Sequence, residues 1–181
     1  MTAKHVVIVN GYGCNWNDEL RGYLDCVVRF CNEQLPYCLI FCGGFSQRKS
    51  FPGTSEALLM YQYVILHLTV KPLMILGEQD SLTTIDNISG AARILKKFNL
   101  LSHDTKLTVF CEATCALKTD LLVRHFICRR ANIRANIKTA SWELMSPEKQ
   151  IISTLYDWAA IKIPLLARYW RWKRRRRAER I

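Results

Sequence analysis

Between Glu78 and Asn87 the chain sets a carboxylate, two hydroxyls and an amide at three-residue spacing: Glu78, Ser81, Thr84 and Asn87. A carboxylate in such a group either accepts hydrogen bonds from ligand hydroxyls or serves as a general base. Hydroxyls and an amide donate to, and accept from, an anionic or hydroxyl-rich partner. The segment joins an apolar run, Pro72 to Leu76, to Ile88–Leu95, whose pattern is helical. A strand-to-helix turn adds the open backbone N–H groups of the helix start, which favour negative charge. The same residues also fit a plainer role. Ser81, Thr83 or Thr84 can cap the helix, with Asn87 on its solvated face.

The positioning elements alternate along the chain. His5–Asn10 is a β-branched run ending at Gly11-Tyr-Gly13, and Tyr37–Cys42 is a second run ending at Gly43-Gly44. Lys71–Gly77, Lys106–Cys111 and Ile133–Thr139 give three more strands, the one before Glu78 read as buried. Helices are expected over Asp18–Asn32, from Thr54-Ser55-Glu56 to about Leu68, from Ile88 to near Phe98, and over Ala116–Arg129. Pro147-Glu148 opens a last helix with Ile151, Ile152, Leu155 and Trp158 facing inward, and Pro164 kinks or ends it. Strands alternating with helices imply right-handed crossovers, hence an α/β fold: a doubly wound, mainly parallel five-stranded sheet with helices on both faces. Residues 1–146 form this domain, and 147–181 a helix with a basic aromatic tail.

In such a sheet, ligands bind beyond the carboxyl ends of the strands, at the switch in strand order. Polar residues and glycines collect at those ends: Gly11 and Gly13, Gly43 and Gly44, Ser55 and Glu56, then Glu78, Ser81, Thr84 and Asn87. These ten are the expected ligand-binding residues, with Glu78 the candidate catalytic group. Asn10, Ser46, Glu112 and Thr114 fall beside them. Gly11-Tyr-Gly13 lacks the third glycine of a dinucleotide fingerprint, and no Walker lysine or Gly-x-Ser-x-Gly elbow occurs. Eight cysteines and four histidines form no zinc-finger spacing and no Cys-x-x-Cys pair, so no metal is expected. The cysteines lie mostly in apolar runs and read as reduced core thiols.

Taken together, Gly11 and Gly13, Gly43-Gly44, Ser55-Glu56-Ala57 and Glu78-x-x-Ser81-x-x-Thr84-x-x-Asn87 resemble the DUF218 family, the YdcF/SanA/ElyC-like proteins, over roughly residues 5 to 140. The resemblance implies a Rossmann-like fold, a ligand crevice lined by these residues, and a link to bacterial envelope integrity. S-adenosylmethionine enters as a candidate ligand by this resemblance only. After the fourth strand the family places a His and then an Arg. Here Cys115 stands in the His position and Lys118 in the Arg position. Cys115 is a substitute nucleophile at most, and the plainer reading is a small residue at a helix start. The envelope members carry an N-terminal membrane anchor; this chain reads like the soluble branch.

The formal charge of +11 is uneven, since residues 168–181 hold eight Lys/Arg and one Glu. Arg168-Tyr-Trp-Arg-Trp-Lys-Arg-Arg-Arg-Arg177 suits an anionic membrane surface, with nucleic acid the less favoured partner. It also suits a last helix whose rings pack on the body. The expected protein is cytoplasmic, peripheral on the inner membrane if the tail engages lipid. It binds a small anionic or nucleotide-like ligand, with or without turnover of a phosphorylated compound. The alternative is a non-catalytic adaptor acting through the tail.

Overall fold

The apolar runs pair side by side into one sheet. The computed structural model describes residues 3–11, 13–140 and 147–180. Strands β1 (His5–Asn10), β2 (Cys38–Cys42), β3 (Met74–Glu78), β4 (Lys106–Glu112) and β5 (Ala135–Ala140) lie in the order β3-β2-β1-β4-β5, every pair parallel. This is the expected α/β sheet in a Rossmann-like arrangement. The chain steps from β1 outward to β2 and β3, then returns to the other flank of β1 for β4 and β5. The switch therefore lies between the carboxyl ends of β1 and β4.

Side chains alternate across a strand, so each strand feeds two cores. On one face, Val6, Ile8, Ile40 and Val109 pack against Ile88, Ala91 and Leu95 of α3 (Thr84–Lys97) and Leu122 of α4 (Ala116–Val123). On the other, Val7, Val9, Leu39, Phe41 and Phe110 meet Leu20, Tyr23 and Val27 of α1 (Asp18–Gln34) and Met60 and Val64 of α2 (Glu56–His67). Each such side chain contributes roughly 1.5–3 kcal/mol by leaving water. Three of these helices begin at side-chain caps, Asn17 for α1, Ser55 for α2 and Thr83 for α3.

Four expectations are corrected. β3 pairs only with β2, so it is a half-buried edge and not a buried strand. α3 starts at Thr84, four residues before Ile88, because Thr83 supplies the cap. The helix expected over Ala116–Arg129 is interrupted: α4 gives way to a π-helical turn, Arg124–Cys128, and a short α5 (Arg129–Ala131). Finally, Ile151, Ile152, Leu155 and Trp158 of α6 (Pro147–Lys162) face outward, with Leu155 62% and Trp158 55% exposed. The inward stripe of α6 carries Ser153, Asp157 and Ala160 instead. Lys118 of α4 holds it through an ion pair to Asp157 at 3.3 Å and a hydrogen bond to Ser153 at 3.2 Å. The boundary expected at residues 146 and 147 falls on 141–146, outside the described residues, as does Tyr12.

The residues read as a tail form α7 (Pro164–Ala178), which turns back along α6. Trp170 stacks near Tyr156, ring centres 5.4 Å apart, while Tyr169 and Trp172 remain exposed. Among the described residues no helix is long and apolar enough to cross a membrane, and no disulfide forms. Seven of the eight cysteines are buried and Cys26 is half-buried. Burial pushes the thiols of Cys31, Cys38 and Cys111 up to about 12 and that of Cys14 to about 11.

Candidate functional site

A pocket of about 330 Å³ opens at the carboxyl ends of the strands, inside the range of small-molecule sites, roughly 300–1,000 Å³. Its wall takes Gly11 and Gly13 from the β1 turn, Gly44, Ser46 and Gln47 from the β2 turn, and Glu56 from α2. The β3–α3 junction adds Ser81, Leu82, Thr83, Thr84 and Asn87, and the start of α4 adds Cys115 and Lys118. Ser153 of α6 and Arg174, Arg177 and Ala178 of α7 complete it. Of the ten expected residues, Gly11, Gly13, Gly44, Glu56, Ser81, Thr84 and Asn87 are brought together here. Gly43, Ser55 and Glu78 are not on the wall.

Those three act behind it. Ser55 is fully buried and its hydroxyl accepts the Leu58 N–H at 3.1 Å, capping α2. Gly43 lets Glu56 approach the strand end, since a Cβ there would fall 2.6 Å from the Glu56 Cβ. Glu78 lies under α3, where Gly90 makes room for it: a Cβ on Gly90 would sit 2.5 Å from the Glu78 Cγ. The Glu78 Oε1 accepts the Asp80 N–H at 3.2 Å, and Oε2 is buried without a partner among the described residues. Burial raises this carboxyl to about 7, an effect that the Asp80 N–H opposes. Strand register sets Asn10, Cys42 and Glu78 in one row on the α3 face. The Asn10 amide, too, is buried with no partner among the described residues.

The carboxylate on the pocket wall is Glu56. Ser46 donates a hydrogen bond to its Oε1. Burial raises the Glu56 carboxyl above the usual range, with Ser46, the Gly13 N–H and the Arg174 guanidinium pulling the other way. Gln47 is held in the same corner by the Cys14 N–H, which donates to its Oε1 at 2.6 Å.

The starts of α2 and α3 differ at the pocket. In α2 the first amides are used: Glu56 N–H reaches the Gly44 carbonyl at 3.1 Å, Ala57 N–H the Gly43 carbonyl at 2.9 Å, and Leu58 N–H the Ser55 hydroxyl. In α3 the Thr83 hydroxyl accepts the Asp86 N–H at 3.1 Å, and the first helical bond runs from Asn87 N–H to the Thr83 carbonyl at 2.9 Å. Thr84 and Ile85 precede that bond, so their N–H groups have no carbonyl partner within the helix. In the turn leading into α3 the Ser81 hydroxyl is 2% exposed and has no hydrogen-bond partner among the described residues. Asn87 is 6% exposed and lines the pocket, so the solvated face assigned to it by the plainer reading is corrected; the cap is Thr83.

No family model matches the chain, and neither a curated protein nor a solved structure matches it. The site therefore rests on its own geometry.

That geometry includes residues the pattern did not mark. Arg174 and Arg177 were legible as charge but not as pocket wall, because nothing local says where α7 docks. Gln47 and Ser153 carry no signal beyond lying near a glycine turn and on a helix. Cys115 and Lys118 were flagged only through the resemblance, and both line the pocket. Among the described residues no three His, Cys, Asp or Glu side chains gather to hold a metal.

Proposed function

We propose that this pocket binds a small anionic ligand, phosphorylated or nucleotide-like, in the manner implied by the resemblance to YdcF-like proteins of the DUF218 family. The observation that carries the reading is the Ser81 hydroxyl, buried and unpartnered on a residue of the pocket wall in the turn that enters α3. A buried hydroxyl without a partner costs about 1–3 kcal/mol, and such groups are few in folded proteins. A ligand oxygen at the α3 start would accept from Ser81 and from the Thr84 N–H. Asn87 and Thr84 would add side-chain contacts, and Glu56 would take ligand hydroxyls. S-adenosylmethionine, cationic at sulfur, suits a wall bearing Lys118, Arg174 and Arg177 less well than a phosphate does. A base for turnover would be Glu56, the carboxylate on the wall, and Cys115 serves as a small residue at the α4 start. A role in bacterial envelope functions follows from the resemblance alone.

The test is ligand-induced thermal stabilisation across nucleotides, sugar phosphates and S-adenosylmethionine. A hundredfold excess over Kd adds about 2.7 kcal/mol, several degrees in Tm. The reading expects Ser81→Ala and Asn87→Ala to abolish most of that shift. If both variants keep it whole, the ligand lies elsewhere.

A second reading is supported by the outward face of the C-terminal hairpin. Leu155, Trp158, Leu165 (74% exposed) and Trp172 are exposed on a helix pair whose second helix carries the cations, the mixture that enters an anionic membrane interface. This is the peripheral adaptor. It expects co-sedimentation with phosphatidylserine vesicles that neutral vesicles do not give, and equal recovery with both removes it. Recovery with RNA in place of vesicles would move the partner to nucleic acid.

A further inference from the structure

An anionic ligand can carry one negative charge or several, and α7 bears on the number. Its Arg174 and Arg177 line the pocket, whereas Arg175 and Arg176, between them in sequence, do not. Helical geometry accounts for this: residues three apart share a face, and the two between point away. Arg176 instead stacks over Trp172, 4.3 Å from the ring centre.

The other charged groups at the site are already engaged. Lys118 is paired with Asp157 at 3.3 Å. Glu56 is bonded to Ser46, and burial pushes its carboxyl toward the neutral form. Arg174 and Arg177, by contrast, make no ion pair among the described residues. Arg174 lies within electrostatic reach of both Glu56 of α2 and Asp157 of α6. The two arginines share the pocket wall with the α3 start, whose first amides and unpartnered Ser81 hydroxyl also call for negative charge. Two unpaired cations and one helix start are more positive charge than a single negative charge can offset. Guanidinium forks match phosphate oxygens in pairs.

We propose that Arg174 and Arg177 are ligand-binding residues of this pocket and that they select a ligand bearing at least two negative charges, a phosphate monoester or a diphosphate. This assignment rests on the pocket reading above. It removes two residues from the freely solvated tail and makes α7 a wall of the site.

Calorimetric titration of the full chain with inorganic pyrophosphate tests it, with inorganic phosphate as the smaller probe. The double variant R174Q/R177Q should weaken pyrophosphate at least tenfold. R175Q/R176Q loses the same charge from the same helix and should weaken it less than threefold. Both pairs are exposed, so unfolding curves should stay near wild type and keep the comparison clean. Equal weakening by the two double variants would reduce the effect to bulk charge and overturn the proposal. Wild-type affinity in R174Q/R177Q together with loss in Asn87→Ala overturns the proposal while the pocket reading stands. Wild-type affinity in both, or no uptake of either probe by the wild-type chain, overturns the two together.

Discussion

Replacing Glu78 by Gln should change how stability responds to pH, and the size follows from where the carboxyl sits. Glu78 is 6% exposed, one oxygen has no partner, and burial raises the group from 4.5 to about 7. Between those values the folded chain holds a proton that the unfolded chain has released. Stability therefore falls as pH rises from about 4.5 to 7 and is flat on either side. At about 1.4 kcal/mol per pH unit the full loss is about 3 kcal/mol. Gln keeps the shape and the acceptor for the Asp80 N–H but has nothing to ionise. Whatever constant offset the amide brings, the stability difference between Glu78→Gln and wild type should move in favour of the variant by about 3 kcal/mol from pH 4 to pH 8. For a chain of this length that corresponds to roughly 6–12 °C in Tm. Urea unfolding at half-unit pH steps measures it, and the difference curve cancels Glu56 and Asp157, whose carboxyls burial also raises. Parallel profiles for the two proteins would show that the carboxylate is stabilised in the fold by something the geometry does not contain.

Other perturbations separate stability from binding. Ser81→Ala removes a hydroxyl with no partner among the described residues, so the ligand-free Tm should hold or rise by up to about 1 kcal/mol equivalent while ligand stabilisation is lost; a Tm drop of more than about 4 °C would mean the hydroxyl is bonded in the fold. Gly44→Ala puts a Cβ into the Ser81 carbonyl and 2.6 Å from that of Gln79. Both are backbone atoms, so overpacking of about 3 kcal/mol is expected, lowering Tm by roughly 6–12 °C, and an unchanged Tm would contradict the packing of the β2 turn. Brief maleimide treatment at pH 7.5 should label at most one thiol, Cys26, and all eight after unfolding. Several adducts on the native chain would refute the buried placement of the rest.

Four of the five strands were legible because short runs rich in Val, Ile, Leu, Met, Phe and Cys leave little choice of structure. What the pattern could not give was their order, and so β3 was read as buried when it is an edge with one neighbour. The turn at Glu78–Asn87 was legible as a place where polar groups meet a helix start. Its division of labour was not. Thr83 caps, Ser81 and Asn87 face the pocket, and Glu78 supports α3 from beneath, distinctions that depend on Gly90 and Gly44 admitting close neighbours. The error on α6 has a plain cause. Helical periodicity identifies an apolar stripe, but burial is decided by partners, and Lys118 draws the opposite stripe inward through Asp157 and Ser153. Charge density made α7 conspicuous without revealing its seat, since docking depends on contacts far off in sequence.

The pocket draws its wall from Gly11 near one end of the described chain and from Arg174, Arg177 and Ala178 near the other. Contacts so distant in sequence close late, because loop-closure entropy must be met before they form. The sheet and its two cores can assemble around β1 while this cavity is still open along one side. Competence to bind is then acquired last, when α7 seats, after the tyrosine signal of the core, from Tyr23, has settled. In a refolding experiment, ligand uptake should lag behind secondary structure, and the length of that lag times the docking of a single helix.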